Sequence, residues 1–483
     1  MEKIKRFLFS NTNIRQTVLK NTFWVGASTT LIKIARAAII IYAARLIGTE
    51  SYGIFTYAMG IAAIFAVVSD VGISSILVRE LSKDTGRIRE YFSTGFTIKL
   101  GLLGIMVALI VSIAPVISDF PSATILMPMI ALSIAFDSLR SFLYSIPRSQ
   151  NNMQTEAFIS IVTEVCCIAL ILIVFLHNPS PATLAYALMI GNGIGLSIAI
   201  ISVRRYLIGV HQFFTKSLVL PLIKLTLPFA VLSIFGVFMT NIDSVIIGIF
   251  GTEHMLGLYG AAQRPFNILN TIPGFLGLSL LPMISRLIKE KKLETVTALT
   301  NTAGTASFSI AIALALGGIA VAGPLMSVIF GPSYIEAVPT FKILLLTILF
   351  VFPGTIYADL LLAQNKQKIF IFTGIMGAVL NIILDIILIP RYGIIGSAIA
   401  TLAAQAAVNI AFYIEAKKSY ALTIVPTIYK SLLAAGCMAV VAYILTTLSW
   451  PLIIIVVLCA TLYIGLLIIM KDHLITKLRR SLH

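Results

Sequence analysis

Charged residues are scarce in this sequence. Only 11% of its 483 residues are Asp, Glu, Lys or Arg, whereas 59% are hydrophobic, and the mean hydropathy is +1.01. Soluble domains average about 25% charged residues, so the composition excludes a soluble globular protein. Apolar runs of about 20 residues, each long enough to cross about 30 Å of hydrocarbon, recur along the chain. The sequence therefore predicts a polytopic membrane protein.

Motifs of catalysis and metal binding are also missing. The sequence has no GxxxxGK[ST] phosphate loop and no HExxH motif, and its four Cys residues show no CxxC spacing. The GNGIG segment at residues 191–195 lies within an apolar run and follows no strand, so we interpret it as helix packing by small residues. The loops on the side opposite the N-terminus are too short to hold the catalytic groups of a polymerase. We therefore predict that the protein is not an enzyme.

Fourteen apolar runs predict fourteen transmembrane helices in an all-α fold. A strand barrel would instead show segments of about 10 alternating residues. The predicted spans are residues 23–46, 54–78, 93–117, 124–146, 157–177, 183–203, 222–250, 258–285, 298–330, 339–363, 369–389, 394–414, 431–448 and 452–470.

The formal net charge of +16 follows from this topology. When alternate loops are assigned to opposite sides, every loop Lys and Arg except Arg391 falls on the side of the N-terminus. The positive-inside rule then places both termini in the cytoplasm. The first span lacks a small-residue cleavage site and is expected to remain as an anchor. No nucleic-acid partner is expected, because no binding motif accompanies the basic charge.

An internal repeat divides the chain. Gly-Thr-Glu triplets that start at Gly48 and Gly251 are each followed by a glycine, an aliphatic residue and an aromatic residue. Each triplet is predicted to form the turn between the first and second spans of a six-span set. The repeat predicts two pseudo-symmetric six-helix bundles, residues 1–210 and 211–415, followed by two additional helices and a cytoplasmic tail in residues 416–483.

Ionisable side chains inside the predicted spans indicate a polar interior, since exposing all of them to lipid would cost roughly 30 to 45 kcal/mol. Lys33 and Arg36 lie mid-span, one turn apart, and Arg264 precedes Pro265. None has an acidic residue near it in the sequence, so we expect these cations to be unpaired and available to an anionic ligand. The remaining ionisable residues are Arg45, Asp70, Lys99, Asp137, Arg140, Glu164, Asp243, Lys342, Asp359 and Asp385.

Several of these charges also have a purely structural interpretation. Arg45, Lys99 and Lys342 lie near span ends, where a long side chain can reach the membrane interface. Asp137 and Arg140 are three residues apart and can neutralise each other on one helix.

A set of oxygen ligands occupies one apolar hairpin, LNIILDIILIPRYGIIGSAIAT. Asn381 and Asp385 are one turn apart before its Pro-Arg-Tyr-Gly break, and Ser397 and Thr401 are one turn apart after it. With Asp243 they predict a sodium site, because carboxylate, amide, hydroxyl and carbonyl oxygens are hard ligands. Two alternatives remain. A proton can replace sodium on a carboxylate, or the polar pair can simply bond helix ends or a buried water.

Three segments resemble a known family. The hairpin looks like the eleventh and twelfth spans of Wzx-like oligosaccharide flippases, members of the multidrug/oligosaccharidyl-lipid/polysaccharide exporter superfamily. GLYGAAQRPFNILNTIPGFLGLSLLPMISR is similar to the eighth-span region of this superfamily, and TLIKIARAAIIIYAARLIG to its first span, although it lacks the Arg-Asp pair of lipid II flippases. Lipid II flippases with a sodium site also resemble this chain in the spacing of Asn381, Asp385 and Thr401.

The resemblance implies a function. A flippase of this kind would move an undecaprenyl-pyrophosphate-linked oligosaccharide, such as an O-antigen repeat unit, from the cytoplasmic to the periplasmic leaflet of the bacterial inner membrane. Lys33, Arg36, Arg140 and Arg264 would bind its headgroup in a cavity between the two bundles, with ion coupling and no other cofactor. Membrane lipids and polysaccharide polymerase machinery are the expected partners. The alternatives are a lipid II flippase, a drug/cation antiporter with a more acidic cavity, and a membrane polysaccharide polymerase.

Overall fold

The protein is α-helical throughout the part of the chain that is described. The structure is a computed structural model that describes residues 14–117, 120–423 and 428–470, and these contain helices and no strand. Twelve helical stretches among the described residues are long and apolar enough to cross a membrane. The prediction of an all-α, multi-pass membrane protein is confirmed.

The contacts divide the chain into two compact units, which we call the first unit, up to Ile249, and the second unit, from Phe250. The predicted bundle boundaries at residues 210 and 415 remain predictions. The helices of the first unit are α1 (Ile14–Ala66), α2 (Ile73–Lys83), α3 (Ile88–Ile117), α4 (Pro121–Leu143), α5 (Ser145–Ser149), α6 (Met153–Phe175), α7 (Pro181–Leu207) and α8 (Lys216–Phe250).

The second unit continues from the end of α8. Its helices are α9 (Glu253–Leu269), α10 (Ile272–Lys289), α11 (Leu293–Phe330), α12 (Val338–Ala363), α13 (Lys368–Tyr392), α14 (Ile394–Lys417), α15 (Ile428–Thr447) and α16 (Leu452–Ile469). Helix α12 packs against α11 and α14, and α15 packs against α11 and α16. The two additional helices predicted at the end of the chain are therefore attached to this unit through α11.

Both Gly-Thr-Glu triplets interrupt a helix, as predicted. Gly48 has φ 81° and ψ 173°, which puts a kink inside α1 between the first and second predicted spans. Glycine tolerates this backbone conformation because it has no Cβ. At the second triplet, Gly251 separates α8 from α9, and the Thr252 hydroxyl accepts a hydrogen bond from the Met255 N–H at 3.3 Å. The threonine thereby caps the first turn of α9.

The second and eighth predicted spans are not continuous helices, which corrects the prediction. In the second predicted span, α1 is separated from α2 by a 3₁₀ turn at Val67–Asp70, followed by Gly72, whose φ is 93°. In the eighth, α9 ends at Leu269 and α10 begins at Ile272. Pro273 supplies the reason for the second break, because it has no N–H to bond the Leu269 carbonyl. The two broken helices occupy the same place in the two predicted repeats, and interruptions at corresponding positions point to a binding site in transporters.

Candidate functional site

Arg36 of α1 forms an ion pair with Glu164 of α6. Its Nε donates to both carboxylate oxygens, at 3.2 and 3.0 Å, and its Nη2 donates to Oε2 at 2.6 Å. The Glu164 side chain is only 4% exposed and the Arg36 side chain is 38% exposed, so the carboxylate is shielded while the guanidinium remains partly accessible. The expectation that Arg36 is unpaired is therefore wrong. Its partner lies 128 residues away and could not be found from neighbouring positions in the sequence.

Arg140 of α4 is buried beside this pair. Its Nη2 bonds the Asp137 carboxylate, which confirms the neutralisation expected from their spacing. Its Nε and Nη1 find no hydrogen-bond partner among the described residues. A buried donor without a partner is costly, so these two N–H groups are suited to a ligand or a water molecule. Asp137 also interacts electrostatically with Arg36, which joins the two ion pairs into one group.

Glycines on α7 allow this group to form. A Cβ at Gly195 would lie 2.1 Å from the Thr163 Oγ1 and 2.9 Å from the Arg140 Nη1, and a Cβ at Gly191 would lie 2.4 Å from the Cys167 Sγ. Any side chain at these positions would collide with α6. The interpretation of GNGIG as close helix packing is confirmed, and the same packing positions Arg140.

The remaining predicted cations differ in their surroundings. Lys33 is exposed, one turn from Arg36, and no carboxylate forms an ion pair with it among the described residues. We call Lys33, Arg36, Asp137, Arg140 and Glu164 the ionic cluster of the first unit. Arg264 lies on α9 of the second unit, is half-buried and is not a free cation, which corrects the expectation that it is unpaired.

Lys99 has a structural role, and the expectation that it reaches the membrane interface is wrong. It is fully buried, and its Nζ lies 3.2 Å from the Asp70 Oδ2. The Nζ also donates to the Ser69 carbonyl at 2.7 Å and to the Ser138 Oγ at 2.8 Å. Ser69 and Asp70 lie in the 3₁₀ turn between α1 and α2. Lys99 therefore supplies hydrogen bonds where the broken helix cannot, which stabilises the break.

The predicted oxygen ligands of the second unit are all buried. Asn381 and Asp385 lie on the buried stripe of α13, and Ser397 and Thr401 lie on buried positions of α14. The two helices pack together closely at Gly396, where a Cβ would lie 2.4 Å from the Leu388 carbonyl oxygen.

The antiparallel course of the hairpin brings these side chains to similar depths. Gly396 and Leu388 lie at the same level along the hairpin. Because the helices are antiparallel and both rise about 1.5 Å per residue, the residue n positions after Gly396 on α14 lies level with the residue n positions before Leu388 on α13. Thr401 thus lies at a level between Asn381 and Asp385. We call Asn381, Asp385, Ser397 and Thr401 the oxygen cluster of the second unit.

Part of the oxygen cluster is unsatisfied. Both polar atoms of the Asn381 amide and the Ser397 hydroxyl are buried with no hydrogen-bond partner among the described residues. The Asn381 Oδ1 and the Ser397 Oγ fit a hard cation of low charge, because the cluster offers one carboxylate with neutral oxygens. In the described ranges no group of three or more His, Cys, Asp or Glu side chains is placed to hold a metal ion. Asp243, the fifth predicted ligand, is buried on α8 in the first unit.

Comparison with known proteins identifies the family. The sequence profile of the family described as "Polysaccharide biosynthesis protein" matches residues 18–288, more than half of the chain. The chain belongs to this family. The MatE profile also matches the chain, at residues 228–387. Together the two matches confirm the expected superfamily.

Two relatives of this chain are distant in sequence but match most of its length. The chain is 22% identical over 381 residues to the probable low-salt glycan biosynthesis flippase Agl15 of Haloferax volcanii. The aligned region covers 79% of this chain and 79% of Agl15. The chain is also 22% identical over 410 residues to the capsular polysaccharide biosynthesis protein CapF of Staphylococcus aureus, covering 83% of this chain and 100% of CapF.

A solved structure shares the fold. The lipid II flippase MurJ, in an inward closed conformation, superposes with a TM-score of 0.74 over 92% of this chain and 98% of the MurJ chain. The two sequences are only 17% identical, so this similarity concerns the fold alone.

Proposed function

We propose that this protein is a flippase that moves an undecaprenyl-pyrophosphate-linked oligosaccharide, the repeat unit of O-antigen or another surface polysaccharide, by alternating access. The names of the relatives support this proposal, since one is a probable glycan biosynthesis flippase and another a capsular polysaccharide biosynthesis protein. A flippase moves its substrate without making or breaking a covalent bond, which agrees with the absence of recognisable catalytic motifs in the sequence.

The observation that carries the proposal is the ionic cluster of the first unit. The cluster holds three cations and two carboxylates: Arg36 pairs with Glu164 and Arg140 with Asp137, while the exposed Lys33 lies one helical turn from Arg36. The surplus is cationic, and Arg140 keeps two N–H groups for a ligand. A pyrophosphate is an anion with many acceptor oxygens, and guanidinium groups bind such oxygens through paired hydrogen bonds. The role of Arg264 in the second unit remains a separate prediction.

The main alternative is a drug/cation antiporter, and the ionic cluster disfavours it. A cationic drug requires an available carboxylate, whereas Glu164 is bonded to Arg36 through three hydrogen bonds. A lipid II flippase is the second alternative, because lipid II also carries a pyrophosphate. A polymerase is disfavoured by the short loops opposite the N-terminus.

The direction of transport follows from the proposed orientation. Loop Lys and Arg residues lie on the side of the N-terminus, with Arg391 the exception. We assign that side to the cytoplasm of a bacterial inner membrane, with both termini there. The substrate is then collected in the leaflet where it is made and delivered to the outer face, where polymerase machinery would receive it.

Ion coupling is the second part of the proposal. The oxygen cluster would bind sodium through the Asp385 carboxylate, the Asn381 amide oxygen, the Thr401 hydroxyl and the Ser397 carbonyl. The Asp243 ligand, in the first unit, stays a separate prediction. A sodium ion entering the cell gains about 2.3 kcal/mol per 100 mV of membrane potential, in addition to its concentration gradient. That energy is sufficient to bias the resetting of a carrier after substrate release. Protonation of Asp385 or Asp243 is the alternative coupling.

The experiment reconstitutes the protein in liposomes with a fluorescent undecaprenyl-pyrophosphate oligosaccharide and measures how fast the glycan becomes accessible to periodate on the far side. Lys33→Gln and Arg140→Gln should each slow transport about 10- to 100-fold, since a hydrogen bond to a charged group contributes about 1.5–3 kcal/mol. Lys368→Gln, at an exposed position in the first turn of α13, is the control and should transport normally.

Normal transport by both variants at equal protein levels would overturn the headgroup assignment. Faster movement of lipid II than of the oligosaccharide would assign the protein to the lipid II alternative.

A further inference from the structure

A groove of about 610 Å³ lies on the second unit between α11, α12 and α15. Helix α11 forms its floor, because two adjacent glycines bring both neighbouring helices close. A Cβ at Gly317 would lie 2.8 Å from the Met438 Cε of α15, and a Cβ at Gly318 would lie 2.9 Å from the Leu345 Cδ1 of α12. Helices α12 and α15 therefore flank α11 as the two walls. The ionic and oxygen clusters contribute no residue to the groove's lining.

One end of the groove is polar. Lys342 of α12 and Tyr443, Thr446 and Thr447 of α15 line it there. Lys342 is four residues from the start of α12 at Val338, and Tyr443 is four residues from the end of α15 at Thr447. At a rise of about 1.5 Å per residue, both side chains begin about 6 Å inside the helix ends. In helices that span about 30 Å of hydrocarbon, that depth lies near the outer edge of the hydrocarbon, close to the headgroups.

The other end of the groove is apolar and runs toward the middle of the bilayer. Leu316, Ile319 and Ala320 of α11 and Ala439 of α15 line it. Leu316 lies fourteen residues before the end of α11 at Phe330, which is about 21 Å along the helix axis. The groove thus changes from polar at the interface to apolar in the hydrocarbon, which is the polarity profile of a lipid molecule lying parallel to the helices.

Lys342 gives the polar end its charge. Its side chain is exposed to the groove, and no carboxylate forms an ion pair with it in the described ranges of the chain. The hydroxyls of Thr446 and Thr447 donate to carbonyls of their own helix, at 2.7 Å in each case. The groups left to donate to a ligand are the Lys342 ammonium and the Tyr443 phenol, and an ammonium selects an anion.

We propose that this groove binds an acidic phospholipid of the bilayer, with its phosphate at Lys342 and Tyr443 and one acyl chain along α11. With the orientation assigned above, the lipid belongs to the outer leaflet. The loops on the outer side carry a single basic residue, Arg391. Lys342, inside the helix α12, adds a positive charge near that leaflet and lines the groove. The site is distinct from the substrate and ion sites, and it ties α15 to α11 and α12 through the bound lipid.

The test measures thermal unfolding of the purified full chain in detergent with added phosphatidylglycerol or phosphatidylcholine. Phosphatidylglycerol should raise the Tm of the parent by about 3 °C more than phosphatidylcholine, because a ligand that binds only the folded state stabilises it. Lys342→Gln should abolish most of this difference, and Lys342→Arg should retain it. Lys368→Gln is the matched charge control and should behave as the parent.

A second variant tests the groove without changing its charge. A Cβ at Gly323, which lines the groove, has no atom within 4 Å, so Gly323→Leu fills the groove without disturbing the backbone. It should abolish the preference for phosphatidylglycerol. Gly436→Leu is the control, because Gly436 lies on α15 outside the lining and also has open space around its Cβ.

Equal stabilisation by the two phospholipids, or a preference that survives both Lys342→Gln and Gly323→Leu, would overturn the proposal. A third arm with undecaprenyl phosphate identifies the ligand. Stronger Lys342-dependent stabilisation by that lipid would show that the groove holds the polyprenyl carrier instead, which also overturns it. If Lys342→Gln cannot be purified, Gly323→Leu decides by the same criteria. None of these measurements requires transport, so the outcome is independent of the flippase proposal.

Discussion

The two units place different polar chemistry inside similar apolar helices. In the first unit the polar groups are opposed charges, as in the pairs Arg36 with Glu164 and Lys99 with Asp70. In the second unit the oxygen cluster combines one carboxylate with neutral amide and hydroxyl groups. The ion pair between Lys366 and Glu415 of the second unit lies at helix ends.

Under the proposed function, this difference would let two predicted repeats bind two different ligands. A cluster with surplus arginine N–H groups is suited to an anion, and a cluster of buried oxygens is suited to a cation. In a membrane protein each arrangement has to satisfy its polar groups internally, since lipid offers them no hydrogen bonds. The predictions below test whether the first unit depends on its paired charges and whether the second depends on its oxygens.

The largest effect is expected at the buried ion pair of the first unit. Lys99→Met removes the cation from Asp70 and leaves the Ser69 carbonyl without its donor. The free energy of unfolding should fall by about 3 kcal/mol, which is the usual cost of removing one partner of a buried ion pair. The Asp70 side chain is 27% exposed, which limits the loss. Thermal unfolding in detergent provides the measurement, and Lys368→Met is the exposed control. The double variant Lys99→Met with Asp70→Asn should recover part of the loss, and no recovery would show that the charges are not coupled.

The next effect concerns the oxygen cluster. If sodium binds there, a concentration 100 times its Kd should stabilise the parent by about 2.7 kcal/mol. Asp385→Ala and Thr401→Ala should each lose most of that stabilisation, measured as the sodium-dependent shift in Tm against a choline control. The Asp243→Ala variant separately tests the ligand predicted on the first unit.

Full sodium stabilisation in all of these variants would contradict the site. A parent that is insensitive to sodium but whose stability follows pH through Asp385 would favour proton coupling.

The smallest of these effects is expected at the helix contact that positions Arg140. Gly195→Ala places a methyl group 2.1 Å from the fully buried Thr163 hydroxyl and should cost about 1–3 kcal/mol through overpacking. Gly101→Ala on α3 is the matched control, because nothing lies within 4 Å of its Cβ. The alanine should stabilise the control slightly through its higher helix propensity. Equal Tm values for the two variants would show that α6 and α7 can separate without loss.

The predicted spans agree with the structure best where the signal is local. Apolar runs set the positions of most helices, and the Gly-Thr-Glu triplets marked the interruptions at Gly48 and Gly251. The close packing at GNGIG was also readable, because small residues four positions apart share one helix face. The pairing of Asp137 with Arg140 followed from their spacing on α4. All of these features depend on neighbouring residues along one helix or turn.

The sequence by itself determined that the chain is an all-α membrane protein, because hydrophobicity over about 20 residues depends only on composition. Only the tertiary structure decided which charges neutralise each other. Arg36 meets Glu164 across 128 positions, and Lys99 reaches the break at Ser69 and Asp70 from another helix. Such contacts depend on how helices pack, and many helix pairings are compatible with the same apolar runs. The chemistry of the interior was therefore fixed by packing, although the residues that carry it were visible from the start.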